Sequence, residues 1–407
     1  MAFAEMPATH RRSVVCVMDI QSDWSEHDED ETFWVSTMER SIVYDTPPSD
    51  AVMTSSSTSP PTPVFKDPVR TEGGPFHVAS RTPTRMTIMG EDAASAITFL
   101  SPTADVEYDS QLFCVGASPD GKFLGLGGAH GAFHAVHVPT AQRVSLQGHV
   151  GDVTSIAFYP SSLVALTGAA DFRLRIWSLQ SFKCAAVLEG HVGTVTGTGI
   201  LGRGRNIVSC ASDAKVMLWN CGTSERLAVW TLASPSTCMV VATDAPSPGG
   251  DLPVHPLESE TDGKVIFAGT EGHGLQGIDV RADEPVLALP AATVTSCAMY
   301  PARAHTVLVG SSNGTLSTYD LRRPTVPLTM VSRSNAAVTG LYSTPDGEVW
   351  AASGDGSCSK WAHLDTSPMV DTEALGPTYD ALNGIVGVGN NLYTVSRDRH
   401  LRTYAMD

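Results

Sequence analysis

The stretch "LQGHVGDVTSIAFYPSSLVALTGAADFRLRIWSL", residues 146–179, returns 42 residues later as "LEGHVGTVTGTGILGRGRNIVSCASDAKVMLWNC", residues 188–221. His149 and His191, Asp171 and Asp213, and Trp177 and Trp219 are each 42 positions apart. A repeat of this length is one supersecondary unit that cannot bury its apolar face alone, so it must stack on its neighbours. Within the copies, short runs such as "TSIAF", "LVALTG" and "LRIWSL" are rich in Val, Ile, Thr and aromatics and are separated by Gly, Pro, Asp and Asn. Such punctuation predicts strands and turns, with hardly any helix.

Weaker copies extend the register. The position of Trp177 is taken in turn by Val136, Trp177, Trp219, Ile278, Tyr319, Trp361 and Tyr404, at gaps of 41, 42, 59, 41, 42 and 43 residues. The long gap holds the Pro/Gly-rich excursion 245–263, which places that loop inside the fourth unit. The turn position reads His130, Asp171, Asp213, Gly272, Asn313, Asp355 and Asp398, which keeps turn-forming residues almost throughout. Units of about 40 residues with four strands each are the blades of a β-propeller. The prediction is therefore all-β: a seven-bladed propeller over 76–407, preceded by a small N-terminal domain over 1–75. The last unit ends soon after its third strand, so its fourth must come from upstream, from "RMTIMG" (85–90) or "FHVAS" (76–80). The Pro/Ser/Thr-rich segment 46–63 has too little apolar surface to order itself.

Composition limits the function. Lys and Arg number 26 against 43 Asp and Glu, a formal charge of −17. Such a chain repels phosphate backbones and attracts basic protein surfaces, so nucleic acid is excluded as a partner. The eight cysteines contain no C-x-x-C spacing and lie mostly in apolar runs, which predicts free thiols, a reducing compartment and no metal. No run approaches a membrane span, and the short "SVVCVMDI" makes no signal peptide. The expectation is a soluble intracellular protein without cofactors, and a closed propeller has no need to oligomerise, so a monomer is expected.

His191, Ser209 and Asp213 are the residue types of a hydrolytic triad, but the set recurs in the preceding copy as His149, Thr167 and Asp171, and no nucleophile elbow is present. The reading is two structural tetrads, His149–Thr167–Asp171–Trp177 and His191–Ser209–Asp213–Trp219, with no catalytic residue and no enzyme. "FLGLGGAHG" (123–131) leads into a strand, so no helix N-terminus awaits a pyrophosphate. "SNGT" (312–315) and "SGDGS" (353–357) read as turns, as does "GRGRN" (202–206) with Arg203 and Arg205. The candidate contact surface is a rim of carboxylates, Asp105, Glu107, Asp109, Asp152, Glu271, Asp355 and Asp380, with Asp152, Glu271, Asp355 and Asp380 the chosen partner-binding residues. A second acidic cluster, "SEHDEDE" (25–31) between Trp24 and Trp34, is either solvated linker or docking element.

"GHVGDV" and "DFRLRIWS" resemble the WD-repeat superfamily. "IQSDW" (20–24), "FYPSSLVALTGAAD", "RGRNIVSCASDAKVMLWNCG" (203–222), "SGDGSC" (353–358) and "LYTVSRDRHLRTY" (392–404), in this order, resemble more narrowly the proteasomal ATPase-associated factor family. That resemblance implies a WD-repeat assembly chaperone of the proteasome regulatory particle. It would bind the C-terminal domain of a base ATPase subunit through acidic rim residues, of which Asp355 and Asp380 match family positions, and so block premature docking on the core particle. The alternative is a WD-repeat adaptor of another complex, such as a ubiquitin-ligase substrate receptor.

Overall fold

The computed structural model describes residues 13–20, 24–25, 32–42, 53–57, 62–65, 77–89, 96–243, 255–282, 285–364, 368–376 and 378–406. Most of the acidic run 25–31 lies outside them. At the N-terminus β1 (Ser13–Ile20) pairs antiparallel with β2 (Thr32–Ile42). The other edge of β2 takes β3 (Met53–Ser57) on one half and β4 (Thr62–Phe65) on the other. The segment 46–63 thus contributes strands, contrary to expectation. Pairing draws on main-chain groups, and the long edge of β2 supplies them without needing apolar side chains.

Strands β5 (His77–Thr82), β6 (Arg85–Met89) and β7 (Ala96–Leu100) form a meander, and β8 (Ala104–Glu107) follows. Met86, Ile88, Ile97 and Phe99 bury themselves with Ile20, Trp24 and Leu375. The expected division at 75/76 precedes β5, yet this packing ties β6 and β7 to the N-terminal segment.

Five four-stranded meanders come next: β9–β12 (Leu112–Ala117, Phe123–Gly128, Phe133–His137, Gln142–Leu146), β13–β16 (Val153–Phe158, Val164–Ala169, Arg173–Ser178, Lys183–Glu189), β17–β20 (Val195–Leu201, Asn206–Ala211, Lys215–Asn220, Arg226–Thr231), β21–β24 (Ser236–Ala242, Val265–Thr270, Leu275–Asp279, Leu287–Leu289) and β25–β28 (Val294–Met299, Thr306–Ser311, Thr315–Asp320, Thr329–Ser332). Then β29–β32 (Val338–Ser343, Val349–Ser353, Ser357–Ala362, Met369–Leu375) form a sheet that β7 extends by parallel pairing to β32, with β6 and β5 beyond. Finally β33–β35 (Leu382–Val388, Asn391–Ser396, His400–Ala405) pair with β8. The inner strands β9, β13, β17, β21, β25, β29 and β33 each pack on the next, and β33 packs on β9. The fold is an all-β propeller. The excursion 245–263 joins β21 to β22, in the fourth of these sheets.

The strand that completes the last sheet is "ADVE", neither of the two expected. Those two, β5 and β6, are held in the sheet of β32. β8 is mostly exposed and charged, and side chains secure it: Asp105 meets His400 Nδ1 at 2.5 Å and Arg402 at 3.1 Å, and Glu107 meets Arg399 at 2.5 Å.

Inner strands share a bulge after their first residue, skipping Thr154, Thr237, Thr295 and Asn383 in the pairing register. A bulge re-aims the skipped side chain. Here it points to the next sheet: Thr154 donates to the carbonyl of Val195 (2.5 Å), Thr237 to Val294 (2.5 Å), Thr295 to Val338 (2.6 Å) and Asn383 to Leu112 (2.7 Å). Apolar side chains fill the spaces between sheets. Trp177 and Phe133 pack between β9–β12 and β13–β16, and Trp219 packs with Leu166 and Leu188 one step on.

Candidate functional site

In a meander of this kind the turn between the second and third strands and the loop entering the next first strand lie at one end of the ring. Asp152 and Asp380 precede β13 and β33, and Glu271 and Asp355 occupy the turns after β22 and β30, so all four share that end. The tetrads lie beneath it. His149 Nδ1–H donates to Asp171 at 2.9 Å, and its Nε2 lies 2.8 Å from Thr167 Oγ1. Thr167 also accepts the Trp177 indole N–H at 2.8 Å. In the next sheet His191 meets Asp213 at 3.0 Å and Ser209 at 2.8 Å, and Trp219 donates to Ser209 at 2.8 Å. A carboxylate only accepts, so Nδ1 carries the hydrogen, and the hydroxyl donates to Nε2 while accepting from the indole.

Burial pushes His149 and His191 below their ordinary pKa of 6.5, so both rings are neutral near pH 7. Burial alone would raise Asp171, but His149 and the backbone N–H groups of Val150 and Arg173 outweigh it and hold the carboxylate ionised. Thr167 and Ser209 are fully buried, leaving no access for a substrate to the hydroxyls. The chain of bonds instead fixes backbone: Asp171 and Asp213 accept the N–H groups of Val150 (3.1 Å) and Val192 (3.0 Å). Those valines stand 79% and 71% exposed at the rim.

Most rim carboxylates are engaged inside the molecule. Asp152 accepts the backbone N–H of His130 at 2.9 Å. Asp380 pairs with Arg397 at 3.1 Å. Asp355 lies 3.4 Å from Arg333 and accepts the Ser357 hydroxyl at 2.6 Å. Burial would raise the Asp355 carboxyl, but Arg333 and the neighbouring hydroxyls hold it below the usual carboxylate range. Glu271 is exposed, and its carboxylate makes no ion pair among the described residues. Asp109 is exposed as well.

Arg203 and Arg205 lie in the turn between β17 and β18, at the opposite end. That turn anchors the excursion before β22. Asn206 accepts from Ser259 N–H at 2.7 Å and donates to the Leu257 carbonyl at 3.3 Å, and Asn220 donates to the same carbonyl at 2.9 Å. The Arg203 backbone N–H reaches Glu260 at 2.5 Å, and Arg281 closes the base of the loop on Glu258 at 2.5 Å. "FLGLGGAHG" runs from β10 through a single 3-10 turn into β11, and "SNGT" and "SGDGS" are turns between strands. The cysteines Cys114, Cys184, Cys210, Cys221, Cys238, Cys297 and Cys358 are free thiols. Among the described residues no group of three His, Cys, Asp or Glu side chains could hold a metal ion.

Sequence reasoning missed the buried charges. Where β13–β16 and β17–β20 have tetrads, β29–β32 have Arg333 bonded to Glu373 at 2.6 Å, both buried. The last sheet has Arg402, bonded to Asp398 at 2.5 Å and to Ser396 at 2.8 Å. The available signal was Arg402 in "HLRTY", four residues after a turn aspartate in a strand otherwise facing the core.

Residues 141–178 and 182–220 match the family described as WD domain, G-beta repeat. Each match runs from the fourth strand of one sheet through the third of the next, β12–β15 and β16–β19. The chain is 30% identical over 154 residues to Proteasomal ATPase-associated factor 1 of Gallus gallus, covering 37% of this chain and 38% of that one. It is 30% identical over 198 residues to the 26S proteasome regulatory subunit RPN14 of Saccharomyces cerevisiae, covering 46% and 47%. With Proteasomal ATPase-associated factor 1 of Homo sapiens the identity is 29% over 153 residues, 37% and 38% of the two chains. The chain thus spans less than half the length of these relatives. These similarities support the resemblance to the proteasomal ATPase-associated factors.

Proposed function

We propose that this protein is a non-enzymatic WD-repeat chaperone of proteasome regulatory-particle assembly. It binds the C-terminal domain of a base ATPase subunit, as a monomer, through the turn-bearing end of its ring, in cytoplasm and nucleus. The observation that carries the reading is the similarity to proteasomal ATPase-associated factors and RPN14. We count the ring as seven blades, an inference supported by the packing of β33 on β9 and by the Asn383–Leu112 bond.

The geometry supports a binding role for that end. The tetrads are consumed in holding the loops still, which presents their outer residues without further ordering, and preorganised loops lose less entropy on binding. Of the chosen contact residues, Glu271 is the carboxylate that meets a basic partner without giving up an internal bond. Asp355 and Asp380 would have to exchange Arg333 and Arg397 for the partner's cations, and Asp152 would give up the His130 N–H. Occupying the ATPase domain sterically delays its docking on the core particle.

The test is affinity capture from cells with subunit identification, at rising salt. Base ATPase subunits free of core particle, with recovery falling as salt screens the contact, are the expected result. Recovery of mature proteasomes alone, or of a ubiquitin-ligase scaffold in place of ATPases, would overturn the reading.

A further inference from the structure

Two thiols meet where the inner strands β21 and β25 pack together. Cys238 Sγ lies 3.4 Å from Cys297 Sγ, although 59 residues separate them along the chain. The strands are locked beside this contact, because Thr237 donates to the Val294 carbonyl at 2.5 Å. Gly269 on β22 leaves the space that Cys238 fills: a Cβ there would stand 2.5 Å from its sulfur. Both cysteines are free and half-buried.

We propose that Cys238 and Cys297 form an oxidation site, at which a peroxide joins them in a disulfide that staples the sheet of β21 to the sheet of β25. In the first step the Cys238 sulfur attacks one peroxide oxygen. The O–O bond breaks, Cys238 becomes a sulfenic acid, and the other oxygen leaves as water with the thiol hydrogen. In the second step the Cys297 sulfur attacks the sulfenic sulfur. The S–O bond breaks and hydroxide leaves with the Cys297 hydrogen as a second water. Two thiols are oxidised by two electrons, and one peroxide is reduced to two waters. The contact with Cys238, together with burial, holds the Cys297 thiol well above its usual range. Cys297 already stands in reach to resolve it. Cys210 lies nearby, with its thiol 3.8 Å from the Cys238 carbonyl oxygen, and is the competing partner.

The test uses the whole protein, treated with hydrogen peroxide or left reduced, then alkylated in denaturant and digested without reductant for peptide mapping. The expected product is a peptide containing Cys238 joined to one containing Cys297, lighter by the hydrogens lost and released by reductant. Cys297→Ser should abolish it. The oxidised wild type should melt at higher temperature than the reduced protein, because the cross-link restricts the unfolded chain. Full alkylation of both cysteines after peroxide, or a Cys238–Cys210 linkage, would overturn the proposal. If the serine variant does not fold, the wild-type map decides alone, since it reads the bond directly.

Discussion

Asn383 Nδ2 donates to the carbonyl oxygen of Leu112 across 2.7 Å, joining the last inner strand of the ring to the first. It occupies the bulge position held by threonine in Thr154, Thr237 and Thr295, but it reaches over 271 residues of chain. Asn383→Ala should therefore cost about 1 kcal/mol, the usual net worth of one hydrogen bond, and open the seam first. Urea denaturation measures the cost, and hydrogen exchange at β33 and β9 locates it. Unchanged exchange there would remove the seam role.

The tetrads predict a stability effect with no catalytic counterpart. Thr167→Val and Ser209→Ala each leave a histidine Nε2 and an indole N–H without their shared hydroxyl, a loss of about 1–3 kcal/mol. Thermal melts of the two variants provide the measurement. A Ser209→Ala protein as stable as wild type would mean that the bond network is not what holds that loop.

Acid should unfold the protein earlier than its net charge alone requires. His149 and His191 have folded pKa values below the unfolded 6.5, so the unfolded chain binds more protons as pH falls through that value. Their neutral-state stabilisation is complete above 6.5 and declines below it. Asp171 and Asp355, also depressed, add a second loss when the pH falls below the ordinary carboxylate value of 3.8. A series of melts from roughly pH 7.5 to 3 should show decline beginning near 6.5 in wild type. A His149→Gln, His191→Gln double variant should show a much smaller first limb, keeping only the part from His134, which burial also holds below 6.5.

Glu373 is fully buried against Arg333. Glu373→Ala removes the carboxylate that the buried Arg333 guanidinium is bonded to, and should cost roughly 3–5 kcal/mol. Glu373→Gln, which keeps a hydrogen-bond acceptor, should cost less, and chemical denaturation ranks the two.

At the rim, Glu271→Lys should weaken capture of the ATPase domain several-fold while leaving the melting temperature unchanged. Asp380→Asn should act less on binding, since Arg397 already neutralises that carboxylate. Equal binding by wild type and Glu271→Lys would place the contact elsewhere.

The parts of this fold that could be read from sequence are those in which each unit solves the same problem. Trp177, Trp219, Ile278, Tyr319, Trp361 and Tyr404 fall at matching positions on third strands because every sheet must fill the gap to its neighbour. The closing strand was not legible: "ADVE" is short and largely exposed, and ion pairs from Arg399 and from β35 hold it in place of an alternating apolar face. Arg333 and Glu373 stand 40 residues apart on segments whose proximity only the assembled sheet creates. Asn206 looked like a turn residue because its partners, Leu257 and Ser259, lie within the excursion, more than 50 residues further along the chain. The acidic rim was visible as composition. That Asp355, Asp380 and Glu107 were already spoken for by Arg333, Arg397 and Arg399 was not, since charge counting is blind to pairing.

The pairing of β8 with β35 also has a consequence in time. Asp105 must wait for His400, 295 residues later, before the ring can shut. During synthesis β8 carries an unpartnered strand edge until β35 has followed it. Closing so long a loop is entropically slow relative to the local hairpins between. Closing the ring should then be a late step of folding, and a chain shortened before His400 would leave an open arc with two sticky ends in place of a slightly weaker ring.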